Sequence, residues 1–88
     1  MPKKRILVVE DDADVREAIV SGLEHAGFEV VAAADGKMAL DLLRHGIVPR
    51  AIILDLMMPV MDGWEFRRHQ LADPTLAAIP VIVLSADP

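Results

Sequence analysis

A regular alternation runs the length of this chain and limits the folds open to it. Four short apolar runs rich in β-branched residues are separated by three stretches in which apolar residues recur at helical spacing. Arg5–Val9 is bounded by charge and reads as a buried strand, and Glu29–Ala33, residues 51–54 and residues 80–84 read as the second, third and fourth strands. The run 51–54 is so uniformly apolar that both of its faces should be covered. Between the first two strands, Val15, Ala18, Ile19, Leu23 and Ala26 mark a helix that Asp12 or Asp14 caps and Gly27 ends. Asp35-Gly36 opens a second helix with Ala39, Leu42 and Leu43 inward, and Gly46 and Pro49 close it. Asp62 caps a third, over about 63–71, which stops before Asp73-Pro74. Strands joined through helices of this length imply right-handed βαβ crossovers and a parallel sheet.

In such a sheet ligands bind beyond the carboxyl ends of the strands. That rule selects Glu10 and Asp11 after the first strand, Asp55 at the end of the third and Ser85 after the fourth. Carboxylates gathered on one edge repel, by about 4 kcal/mol for a pair ~4 Å apart at an effective dielectric near 20. Either one of them takes a proton or a cation binds. An all-oxygen set that leaves room for water suits Mg²⁺, which bridges carboxylate to phosphate. A carboxylate is also a competent nucleophile toward phosphorus. Ser85 offers a hydrogen-bond donor to a phosphoryl oxygen, and the small Ala86 beside it leaves space for approach.

Composition narrows the class. The 88 residues make one small domain, and 53% apolar content is enough for a packed core. No apolar run reaches the ~20 residues that span a bilayer. Lys3, Lys4 and Arg5 are followed by only four apolar residues before Glu10, too few for a secretory signal. The absence of cysteine fits a reducing cytoplasm, and a net charge of −5 makes direct nucleic-acid binding a poor expectation. No glycine-rich turn follows the first strand, as a dinucleotide site or a P-loop requires.

The stretches RILVVEDDADVRE, IILDLMMPVMDGWEF and IPVIVLSA closely resemble the receiver domains of two-component signalling. The resemblance implies a flavodoxin-like α/β fold, with parallel strands in the order 2-1-3-4 and helices on both faces. It implies that a histidine kinase or phosphotransfer protein passes a phosphoryl group to Asp55. By the same resemblance Asp11 and Asp55 ligate Mg²⁺ directly, Glu10 acts through water, and the Met57 backbone carbonyl completes the protein ligands. Ser85 matches the residue that contacts the phosphoryl group and couples it to the switch, and Pro59, Asp62 and Gly63 match the loop after the acceptor. The chain is expected to be a signalling domain, not an enzyme in its own right.

One domain over residues 1–88, incomplete at its C-terminus, is the expected organisation. The family continues into a fourth helix, a fifth strand bearing a phosphate-contacting lysine, and a fifth helix. Lys3, Lys4 and Lys37 are the lysines of this chain, and none falls where that residue would. Strand four is then an open apolar edge, so a homodimer through strand-four pairing or exchange of elements is expected. The alternative is a receiver-like dimerisation or interaction module that is not phosphorylated, or a truncated fragment without signalling competence. A phosphohydrolase of the haloacid-dehalogenase type wants a second acid two residues after the nucleophile, where Met57 stands. Asp12, Asp14 and Asp62 are expected as capping and first-turn charges, Met57, Met58 and Met61 as loop packing, and His25, His45 and His69 as surface residues. Trp64 and Phe66, two positions apart on a helix, cannot both face the core.

Overall fold

The structure is a computed structural model that describes residues 3–84. Its elements alternate as expected: β1 Arg5–Val9, α1 Ala13–His25, β2 Glu29–Ala33, α2 Gly36–Arg44, β3 Ala51–Asp55, α3 Gly63–Ala72 and β4 Val81–Leu84. The four strands form one parallel sheet in the order β2-β1-β3-β4. Strand β1 runs through the middle, with Val9 level with Ala33 on one side and Leu54 on the other. That register brings the carboxyl ends of β1 and β3 side by side.

The pleat divides the apolar residues between two faces. Leu7, Val9, Ile52 and Leu54 face a core completed by Ala39, Leu40 and Leu43 of α2 and Phe66 of α3. On the opposite face Ile6 and Val8 are also buried, and α1 packs there against β1 and β2. Phe66 is fully buried while Trp64 is exposed, which settles the division between the two aromatic residues of α3. Leu40 joins Ala39 and Leu43 in the core, whereas Leu42 is only half-buried.

Helix α1 departs from the expected inward face. Ile19 and Leu23 are half-buried together with Arg16 and Val20, while Val15, Ala18 and Ala26 are exposed. The apolar arc of α1 is wider than the strip that two strands cover, so one flank stays in water. The polar groups at the helix ends are met locally: Asp12 Oδ1 accepts from the amides of Asp14 and Val15, Asp35 Oδ1 from Met38, and Asp62 Oδ1 from Glu65.

Gln70 is buried in α3 and its Nε2 donates to the carbonyls of Leu76 and Ile79, both at 3.0 Å, while Arg67 donates to its Oε1 at 2.8 Å. This amide ties the loop 73–80 to the helix. The loop in turn delivers β4, whose entry is held by the Ile52 amide on the Pro80 carbonyl at 2.9 Å. Among the described residues β4 is an edge of the sheet, with Ile82 and Val83 exposed on opposite faces.

Candidate functional site

Glu10 is the first residue past β1, and its amide still pairs with the Ala33 carbonyl of β2 at 3.1 Å. Asp11 and Asp12 turn the chain into α1, and Asp55 closes β3 level with Leu84 of β4. Carboxylate oxygens of Glu10, Asp11 and Asp55 all lie within 4.8 Å of one another. Three of the sequence-selected residues thus come together on one edge. Ser85, the fourth, lies outside the described residues.

Burial is uneven across the cluster. Glu10 and Asp55 are 7% and 8% exposed, whereas Asp11 faces solvent. Burial pushes the Glu10 carboxyl above its ordinary value of 4.5. The Asp12 amide, donating to Glu10 Oε2 at 3.1 Å, works against that shift, while the hydrogen bond and negative charge of Asp55 and the hydrogen bond of Asp11 reinforce it. The edge therefore gathers negative charge with two of its three carboxyl groups largely out of water. A hard divalent cation relieves that, and the donor set, carboxylate oxygens with one open to water, fits Mg²⁺.

The loop after Asp55 holds the end of β3 in place. The Met57 amide donates to Asp55 Oδ1 at 3.1 Å, so the backbone of this residue adjoins the cluster while its side chain is exposed. Met58 turns inward and joins the core. Pro59, Val60 and Met61 form a three-residue turn, with the Met61 amide on the Pro59 carbonyl at 2.7 Å and Val60 at φ 68°. The Gly36 amide then binds the Met61 carbonyl at 3.1 Å and fastens the loop to α2.

Gly63 starts α3 hard against the end of β3. A Cβ there would lie 2.6 Å from both the Asp55 carbonyl oxygen and the Leu56 Cα, so only glycine allows this approach. Its amide donates to the Leu56 carbonyl at 3.0 Å. Beside the loop, Met57, Met58, Pro59, Asp62 and Trp64 line an open cavity of about 400 Å³.

Of two residues that the sequence did not single out, one bears on the edge and the other on the turn after Asp55. Arg16, on α1, donates through Nη1 to the carbonyl of Glu10 at 2.9 Å and approaches that of Asp11 at 3.4 Å. Its sequence signal is a cation near the start of a helix, where the macrodipole disfavours one. Val60 carries a signal only once its φ is known. The histidines stand apart from the cluster: His25 and His45 are exposed, and His69 approaches Glu65 on the surface of α3 at 3.9 Å.

Comparison with known proteins agrees with this geometry. The profile of the response regulator receiver domain matches residues 6–88. The response regulator MprA of Mycolicibacterium vanbaalenii is 46% identical over 82 residues, which cover 93% of this chain and 34% of that protein. The chain therefore spans about a third of the length of this relative. Among solved structures, the N-terminal domain of a response regulator receiver protein from Methanoculleus marisnigri superposes with a TM-score of 0.89 at 37% identity, covering 96% of this chain and 68% of that one. The response regulator TrrA of Thermotoga maritima, solved in complex with Mg²⁺ and BeF, superposes with a TM-score of 0.86 at 32% identity over 96% of this chain and 70% of its own. By its sequence match, its 2-1-3-4 parallel sheet and the acidic edge that the sheet builds, the chain belongs to the response regulator receiver family.

Proposed function

We propose that residues 1–88 form one receiver unit in which Asp55 accepts a phosphoryl group from the phosphohistidine of a kinase or phosphotransfer protein. The observation that carries this reading is the cluster of Glu10, Asp11 and Asp55 at the ends of β1 and β3, with Glu10 driven toward protonation by burial. A carboxylate oxygen of Asp55 attacks phosphorus as the bond from phosphorus to the donor nitrogen breaks. The product is an acyl phosphate on Asp55, and the donor imidazole departs with the electron pair and takes up a proton. Asp11 and Asp55 would hold Mg²⁺, with Glu10 acting through water and the Met57 carbonyl as the backbone ligand. When bound, the ion offsets negative charge on the equatorial phosphoryl oxygens.

The chain's own groups prepare the acceptor. The Met57 amide holds the Asp55 carboxylate by one oxygen, and Gly63 lets α3 brace the Asp55 backbone from behind. Ser85 contacts the phosphoryl group in this scheme. The Mg²⁺ and BeF complex of TrrA supports the assignment by likeness. A cytoplasmic setting follows from a kinase donor, and among the described residues no helix is long and apolar enough to cross a membrane.

Intact mass after incubation with a small-molecule phosphodonor tests this reading. A single phosphoryl adduct that requires Mg²⁺ and is lost in Asp55→Asn is expected. No adduct on a folded sample rejects it and favours an unphosphorylated interaction module. A homodimer through β4 is a separate part of the proposal, supported by the exposure of Ile82 and Val83 along an edge that is unpaired among the described residues. Sedimentation should then show a dimer at micromolar concentration that Ile82→Lys converts to monomer, and a wild-type monomer refutes it.

A further inference from the structure

We infer that Arg16 is a positioning residue of the acidic edge: it grips the backbone that carries Glu10 and Asp11 and so sets the geometry that receives the cation. The inference rests on the proposed Mg²⁺ role of that edge. Arg16 is the fourth residue of α1, where its positive charge meets the positive end of the helix macrodipole. A guanidinium there needs a local partner. Four carboxylates lie within the six residues before it and one follows directly, yet among the described residues Arg16 makes no ion pair. It donates instead to the Glu10 carbonyl at 2.9 Å and approaches the Asp11 carbonyl at 3.4 Å.

These carbonyls belong to the turn between β1 and α1. Its other restraints are the Glu10 amide on β2, the Asp12 amide on Glu10 Oε2 and the Asp12 cap of α1. Those contacts fix the amide side of the turn. Arg16 alone of these contacts holds the carbonyls of Glu10 and Asp11, and through them the direction in which both side chains leave the backbone. A planar fork suits that task, because its donors leave in fixed directions, whereas a lysine ammonium serves as a single mobile point. Groups that orient metal ligands typically change metal affinity by about 10- to 100-fold when removed.

Charge and positioning predict opposite signs, which makes the inference testable. Removing a nearby cation, taken as charge alone, strengthens the attraction of the edge for Mg²⁺. Removing a positioning contact weakens it. Mg²⁺ titration followed by amide chemical shifts, on wild type, Arg16→Ala, Arg16→Lys and Asp55→Asn, separates the two. The expected result is an Arg16→Ala affinity weaker by about 10-fold, with Arg16→Lys between Ala and wild type. In the metal-free protein the amides of Glu10, Asp11 and Asp12 should exchange faster in Arg16→Ala, while those of β3 remain as in wild type. Unchanged or tighter Mg²⁺ binding by a folded Arg16→Ala overturns the inference. If Arg16→Ala does not fold, wild-type affinity in Arg16→Lys overturns it equally. Failure of the wild type itself to bind Mg²⁺ overturns the metal reading as well, and is recognised by identical titrations of wild type and Asp55→Asn.

Discussion

Replacing Gln70 by methionine keeps the side-chain length and removes the amide. Gln70 is wholly buried, and its Nε2 serves two backbone carbonyls at 3.0 Å. The Leu76 carbonyl retains the Ile79 amide as a partner at 3.1 Å, so it loses one of two bonds, worth about 1 kcal/mol net. The Ile79 carbonyl has no other partner among the described hydrogen bonds and is left without a donor, which costs ~1–3 kcal/mol. Burying a thioether in place of an amide offsets part of this, leaving a loss of about 2–3 kcal/mol. A domain of this length is stable by only ~4–13 kcal/mol, so the change is large. At ~4–8 °C per kcal/mol the melting temperature should fall by about 10–20 °C. Urea unfolding followed by far-UV circular dichroism gives the same quantity as a lower midpoint at constant slope. A loss under ~0.5 kcal/mol refutes the reasoning, because surface substitutions alone lie in that range. The exchange of the β4 amides should rise in parallel, since the tethered loop delivers that strand to its place beside β3.

Three further outcomes follow from the site. Gly63→Ala pushes a Cβ into the backbone of Asp55 and Leu56, neither of which yields easily; it should destabilise by ~1–3 kcal/mol or more in thermal melts and displace the Asp55 amide resonance. Val60→Gly should stabilise by ~0.5–1 kcal/mol in urea titrations, because relief of the left-handed backbone exceeds the added chain entropy and the valine side chain is 77% exposed; an unchanged midpoint contradicts the strain. Glu10 carries a pKa raised above 4.5 in the folded state, so between 4.5 and that higher value the folded protein holds the extra proton. Its contribution to metal-free stability is therefore lost as the pH rises through that window and recovered as it falls. Glu10→Gln should flatten this part of the pH profile and raise stability at neutrality, as measured by urea midpoints from pH 4.5 upward; a profile identical to wild type contradicts the burial of charge.

The order of elements and the identity of the acidic cluster were legible in the sequence, and for a local reason. Strand and helix periods are written in neighbouring residues, and parallel connectivity follows from their alternation. Once the strands are parallel, residues just past their ends must share an edge, which is why Glu10, Asp11 and Asp55 could be named together. Helix ends were equally local, since Asp12 and Asp62 cap through amides two or three residues away.

Contacts between distant segments decided the rest. Periodicity placed Val15 and Ala18 on the apolar arc of α1, but only the position of that helix over β1 and β2 left them in water and drew Arg16 and Val20 toward the sheet. Trp64 and Phe66 were interchangeable on paper until α3 met the core. Gln70 looks like an ordinary polar helix residue, and its burial depends on a loop up to nine residues away folding back over it. Even at the acidic edge, residue spacing names which carboxylates meet, whereas the packing of distant segments sets which of them is buried and what holds their backbone. The physical reason is that residue type and spacing encode local dihedral and hydropathic preference, while dielectric surroundings and backbone partners exist only after remote segments pack.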